Sequence, residues 1–368
     1  MRLLGPICLV CFAPAVFAAE SLDLNKLIAR RCGAPGYQID SGCTIELEDG
    51  TFEIEKTIAL GGCTAPSVRN SVVIRGQGAG LMTTQPRFAT AGTTLRWKGP
   101  AGGAMFDLCG ASFFALRDVT LDAQGAGVGI RISGDNQASA ISHFVGLQDV
   151  VVDGAGIGVL VTGRNRNDQI DFVTLERVSL YNVDVGYLQD SQQSVAGRLE
   201  TVEVGARRKG FEIRNGSLNC ENCYVGALPG RGDDFIAFHL TRLPATQGKP
   251  WDMHHQVSIA RSHMELASGR FVVEDAGAPF PLLLTGNSYS LQCATRGCEM
   301  SVLDSRNLGP VVMIAEAIQS GGPTLPKARI CHRGEGKLET LGVFKKPEVA
   351  SLEWSCKPAA PAPPAPDS

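Results

Sequence analysis

The chain has 368 residues, with 34 basic against 37 acidic side chains and a formal net charge of −3. That balance excludes a strongly basic nucleic-acid binder and an acidic disordered chain, and a hydrophobic content of 44% excludes global disorder. Glycine is abundant at 43 residues and aromatics are scarce at 6%, a mix that suits short strands and tight turns better than a helical bundle. In chain order, Met1-Arg2 is a short positive start and Leu3 to Val16 is mostly apolar. Val16-Phe17-Ala18 fits the small-x-small cleavage pattern, so residues 1–18 read as an export signal. No later stretch approaches ~18 apolar residues, so no membrane span is expected and the protein reads as secreted or periplasmic. Leu22 to Arg31 carries apolar residues at 22, 24, 27 and 28, a short amphipathic helix inside an N-terminal cap over 19–44. Length alone allows two or three domains, but a repeat solenoid is free of that limit because each repeat contacts only its neighbours.

Of twelve cysteines, Cys8 and Cys11 fall in the export segment and ten remain. An even number in an exported chain points to disulfides. Cys32–Cys43, Cys293–Cys298 and Cys331–Cys356 are plausible local pairs and Cys63–Cys109 a plausible longer one, although spacing does not dictate connectivity. Cys220-Glu221-Asn222-Cys223 has a rival reading as half of a zinc site, but no second CxxC exists.

The strongest signal is internal repetition. Leu116-Arg117-Asp118-Val119-Thr120-Leu121 recurs as Leu147-Gln148-Asp149-Val150-Val151-Val152, then as Leu175-Glu176-Arg177-Val178-Ser179-Leu180 and Leu199-Glu200-Thr201-Val202-Glu203-Val204. Cys220 to Val225 keeps the spacing, and Ile259 to Met264 is a degenerate copy. A short, often Gly-led strand follows each: Gly129–Ile132, Gly158–Val161, Gly186–Gln189, Gly210–Ile213 and Phe235–Phe238. Alternation in V-x-V has the strand period, and the x-x spacer places apolar residues on both sides of a bend, each pointing inward. Such short strands need to stack coil on coil, ~4.8 Å apart, around one continuous core.

On these repeats, with Ile45 to Ile54, Val73 to Gly78, Thr94 to Trp97 and Gly103 to Phe106 as opening coils, the chain resembles the pectate-lyase-like superfamily. The resemblance implies an all-β fold, a single-stranded right-handed parallel β-helix, over roughly residues 45–324. The cap over 325–357 would be disulfide-linked through Cys331 and Cys356, and residues 358–368 form a Pro/Ala-rich tail expected to be disordered. Function is specified less closely, because sites are grafted onto folds.

In such a fold, turns of successive coils line a groove that suits an extended polymer, and polysaccharide is the common ligand of the resembled superfamily. Gly232-Asp233-Asp234-Phe235-Ile236-Ala237 looks like the G-D-D-x-I-A motif of polygalacturonase-type glycoside hydrolases. By resemblance, Asp233 would act as general acid and Asp234 would help activate water. His254 and His255 follow about one coil later, where that family has a histidine motif, with His255 the catalytic candidate and Trp251 beside it a sugar contact. The chain lacks the family's N-T-D and R-I-K motifs, and Gly-Asp-Asp is also a common turn before a strand. Asp122 with Asp153, and Asp118 with Asp149, form columns on adjacent coils that suit a calcium bridge, a carboxylate pair or a plain turn. Arg164, Arg166, Arg207 and Arg208 flank Gly-led strands, and arginine recognises carboxylates with two parallel hydrogen bonds, so an acidic polymer is the expected partner. The blander reading of each is a solvated loop.

No Walker loop, HExxH or G-x-S-x-G is present. Gly76-Gln77-Gly78-Ala79-Gly80 is followed by no helix, so a dinucleotide site is rejected. No metal site is assigned and no cofactor is required by this reading; calcium is the one ion the aspartate columns would suit. Two functions follow: an exported glycoside hydrolase or polysaccharide lyase, or a non-catalytic β-helix that binds a glycan or serves as a structural envelope component. Oligomeric state is open.

Overall fold

The computed structural model describes residues 20–33, 42–63, 71–79, 92–163, 168–191, 193–228, 234–241, 256–275, 281–293, 298–306, 308–322 and 325–356. Residues 1–18, read above as an export signal, Arg164, Arg166, Asp233, Trp251, His254, His255 and residues 358–368 lie outside the described residues.

The repeat dictates the coil. Within Ala115–Asp122 the backbone runs in along one face, bends at Asp118 and continues along a second face. Asp118 has φ 56°, and the same slot holds Asp149, Arg177, Thr201, Asn222, Arg261 and Ala315, all at positive φ. The left-handed residue is what turns the x-x spacer into a corner, so that the apolar residues on either side both point inward. A third face follows in Val128–Gly134, Ile157–Gly163, Ile236–Leu240, Arg270–Glu274 and Glu299–Ser305.

Coils stack in parallel register, residue on equivalent residue: Leu116 on Leu147 on Leu175 on Leu199 on Cys220 on Ile259. The chain is therefore a right-handed parallel β-helix, the hand expected of parallel crossovers. Its core is one continuous column of buried Leu, Ile, Val and Phe. The degenerate copy at Ile259–Met264 keeps the register, and two more copies that the pattern alone does not reveal follow it: Leu284 with Tyr289, and Met313 with Ile318.

Both ends are closed by specific contacts. The helix α1, Leu24–Cys32, buries Leu24, Ile28 and Cys32 and is N-capped by Asp23, which accepts from the Lys26 N–H. Asn25 docks this helix on an open strand edge, donating to the Thr57 carbonyl at 2.8 Å and accepting from the Ala59 N–H at 2.9 Å. At the other end, Lys327–His332 and Leu338–Leu341 pair in parallel with the preceding coil, and Ser351–Trp354 pairs in parallel with Lys327–His332. The C-terminal cap is thus built by continuing the coil.

Disulfides join Cys32–Cys43, Cys63–Cys109, Cys220–Cys223, Cys293–Cys298 and Cys331–Cys356. The zinc reading of Cys220 and Cys223 is corrected: the two are bonded to each other across the Asn222 bend, buried in two apolar slots of the repeat. Among the described residues no helix is long and apolar enough to cross a membrane.

Candidate functional site

The outward side chains of the second face form two columns. One runs Val151, Ser179, Glu203, Tyr224, His263, and the other Asp153, Tyr181, Gly205, Gly226, Glu265. Together with the bend residues Asp149, Arg177 and Asn222 the upper coils line an open groove of about 1090 Å³. Glycine makes its floor. A Cβ on Gly205 would come within 2.5 Å of the Tyr181 ring, so the ring lies flat across the following coil only because that position is bare. At Gly226 a Cβ would meet the Tyr224 ring at 3.5 Å, an ordinary contact, so the need for glycine is confined to Gly205 of the two.

The charged groups of the groove differ in environment. The Arg177 guanidinium clamps Asp149 with two hydrogen bonds, of 2.7 and 2.8 Å, and also pairs with Glu176. This bidentate bond holds the Asp149 carboxyl below its usual range. Glu203 is half-buried and has no hydrogen bond or ion pair to any described residue. Burial alone pushes its carboxyl up from the ordinary value. Tyr224, in register on the next coil, donates its hydroxyl to Glu265 at 3.2 Å, and burial with the Glu265 charge pushes its phenol to about 12.

The aspartate columns read from the sequence are in register but are already engaged. Arg96 binds Asp122 at 2.8 Å and Arg75 binds Asp118 at 3.1 Å. Asp153 accepts from the Asn182 amide at 2.7 Å, while burial and the neighbouring Asp122 raise its carboxyl. Arginines at these columns repel a cation, and among the described residues no group of three or more His, Cys, Asp or Glu is arranged to hold a metal ion. Arg207 donates to the Asn182 carbonyl at 2.7 Å and to Asp184 at 3.4 Å, stapling the turn of the preceding coil. Arg208 and Asp234 are exposed, Asp234 just before Ile236–Leu240. None of Arg207, Arg208 and Asp234 is among the groove-lining residues.

Sequence reasoning missed Glu203, Tyr181, Tyr224 and Glu265. The signal lay inside the repeat, in the variable slot between its last two apolar positions. That slot always faces out, and reading it down the copies gives Thr120, Val151, Ser179, Glu203 and Tyr224.

No family model and no curated protein sequence matches the chain. Solved structures do resemble it. The surface protein and adhesin PfbA of Streptococcus pneumoniae superposes with a TM-score of 0.55 at 9% identity, covering 90% of this chain and 93% of that one. A variant DFA-IIIase of Arthrobacter chlorophenolicus A6, in complex with DFA-III, superposes with a TM-score of 0.50 at 11% identity, covering 89% and 82%. At such identities the likeness is one of fold. Fold and groove together define a parallel β-helix with an open, tyrosine-bearing groove along one face.

Proposed function

We propose that the protein is exported and cleaves an extended polysaccharide laid along the groove of the second face. The observation that carries this reading is the groove itself: it crosses successive coils, it is open to solvent, and it combines tyrosine rings with a carboxyl group that no other described side chain engages. Such a lining gives sugar rings apolar faces to pack on and a proton donor or acceptor beside them. The buried disulfides support an oxidising compartment. A preference for acidic polymers is the expectation carried by Arg164, Arg166, Arg207 and Arg208, with Trp251 as an aromatic contact; Arg207 is bound to Asn182 and Asp184 and neither it nor Arg208 lines the groove, so the polymer's charge is decided by the test below. Asp233, Asp234 and His255 are the catalytic candidates brought by the motif resemblance.

The test is purified mature protein incubated with acidic and neutral polysaccharides, with and without calcium. New reducing ends report hydrolysis, and ultraviolet absorbance of unsaturated products reports elimination. A D233N/D234N double variant runs beside it. Product from one polymer class supports the proposal and names the substrate. Binding without product leaves a glycan-binding β-helix, and neither binding nor product overturns the polysaccharide reading.

A further inference from the structure

Resting on the polysaccharide reading, we propose that Tyr181, Glu203 and Tyr224 form a subsite for the ammonium group of an amino sugar, so that the polymer laid in the groove is a de-N-acetylated hexosamine polymer and not a polyuronate. All three residues line the groove, and register brings them together. Glu203 and Tyr224 stand on adjacent coils in direct register, with Ser179 on the other side of Glu203. Equivalent positions on adjacent coils lie ~4.8 Å apart. Tyr181 is in register with Gly205, and its ring lies 2.5 Å from where a Gly205 Cβ would stand. Gly205 is two residues beyond Glu203 on the same outward face, a separation of ~6.7 Å, so the Tyr181 ring flanks Glu203. The Tyr224 ring stacks on His263 of the following coil, with 5.7 Å between ring centres and 25° between planes. Its opposite face is therefore turned back toward the Glu203 coil.

The charges of the groove have the matching sign. Its described lining residues carry the carboxylates of Asp118, Asp149 and Glu203, and Arg177 is their only cation. Arg177 is already bound to Asp149 and Glu176, and Asp118 is held by Arg75. Glu203, half-buried, has no hydrogen bond or ion pair to any described residue. Burial raises its carboxyl, and a cation placed beside it lowers it again, so the carboxylate gains from an ammonium partner.

A carboxylate between two aromatic rings is a cation-binding arrangement. The ammonium pairs with Glu203 and meets the negative faces of the tyrosine rings, while the apolar face of the sugar packs on the ring held flat over Gly205. An acetamido group carries no charge for Glu203 to bind. A uronic acid would set its carboxylate against Glu203, and the arginines that bind carboxylates elsewhere on the surface, Arg207 and Arg208, do not line the groove.

The experiment is titration calorimetry of the mature protein at physiological ionic strength. The probes are hexamers of glucosamine and of galactosamine, their N-acetylated counterparts, a galacturonic acid hexamer and a lysine hexamer. E203Q and Y181L variants run beside the parent, each checked for an unchanged far-ultraviolet circular dichroism spectrum and melting temperature. We expect one amino-sugar hexamer to bind about 10-fold or more tightly than its N-acetylated counterpart, and the galacturonic acid hexamer to bind weakest of the sugars. E203Q should abolish that preference by weakening the amino-sugar hexamer about 10-fold while leaving the N-acetylated one unchanged. Y181L should weaken the amino-sugar hexamer by a similar factor. A preference that survives in E203Q, or a lysine hexamer bound as tightly as the amino sugar, overturns the subsite, because general attraction to an acidic surface then accounts for binding. Equal or tighter binding of an N-acetylated or galacturonic acid hexamer overturns it too and leaves the polysaccharide reading standing. A parent that binds no sugar hexamer removes both.

Discussion

Ser262, Asn287 and Glu316 are buried polar residues in a slot that upstream coils fill with Val119, Val150, Val178 and Val202. They are tolerated because they form a ladder. The Cys223 N–H donates to the Ser262 hydroxyl at 3.0 Å, the Ser262 N–H to the Asn287 carbonyl oxygen at 2.9 Å, and the Asn287 N–H to Glu316 at 3.2 Å. Tyr289 donates to the other Glu316 oxygen at 2.6 Å. At a corner the backbone leaves strand pairing, and these side chains supply the acceptors its N–H groups need. Asn287→Ala should cost about 2 kcal/mol in urea unfolding, since it strands the Ser262 N–H and the Ile259 carbonyl. Burial raises the Glu316 carboxyl. The folded state therefore holds its proton where the unfolded state has lost it, and this residue's contribution to stability falls as pH rises from about 4.5 through the raised value. Glu316→Gln should flatten that decline in a series of urea midpoints across pH.

At the scale of the element, the Gly-led third-face strand is legible in the sequence and its cause is not. A Cβ on Gly186 would meet the Gly210 carbonyl oxygen at 2.5 Å and Val204 at 2.5 Å, and Gly129, Gly158 and Gly210 are similarly closed. These glycines let the backbone of one coil sit against the core side chains and carbonyl oxygens of the following coil. Gly186→Ala should destabilise by about 2 kcal/mol, read as a lowered denaturation midpoint with unchanged slope. Phe113, Phe144 and Phe172 stack on the outside at 4.9 and 4.7 Å between ring centres, each three residues before the first apolar slot of its coil. Phe144 is the middle ring and is also touched edge-on by His143. Phe144→Ala should cost about 2 kcal/mol by losing both stacked faces, which thermal unfolding would register. The apolar slots of the repeat are readable because burial restricts them to few residue types. The outward slots vary, so the pattern does not mark them, and the groove residues Glu203 and Tyr224 are in those slots.

At the scale of the molecule, a solenoid has no contacts between distant coils, so its ends and covalent ties decide how it unfolds. Cys63–Cys109 closes a separation of 46 residues across the third face near the N-terminal end. Replacing both cysteines by alanine, in a C63A/C109A variant, should lower stability by about 4 kcal/mol in the chain-entropy account, with protease sensitivity appearing first in the opening coils. Four of the five pairings are among the combinations that spacing makes plausible, and the fifth, Cys220–Cys223, competes with a metal reading. Only the stacked coil resolves it, because it places both cysteines in the dry core on either side of one bend.

By itself the sequence determined the class of fold, the repeat as far as Ile259–Met264, the helix that closes the first coil and the apolar slots of the core in those coils, because each follows from a local rule: strand period, bend spacing, amphipathic period. Tertiary structure alone decided which outward side chains meet. Glu203, Tyr224 and Glu265 are far apart in the chain and adjacent in space only because parallel register adds one coil length at a time. It also decided that Asp118, Asp122 and Asp149 are bound by Arg75, Arg96 and Arg177, since a partner one coil away has no fixed offset in a repeat of variable length.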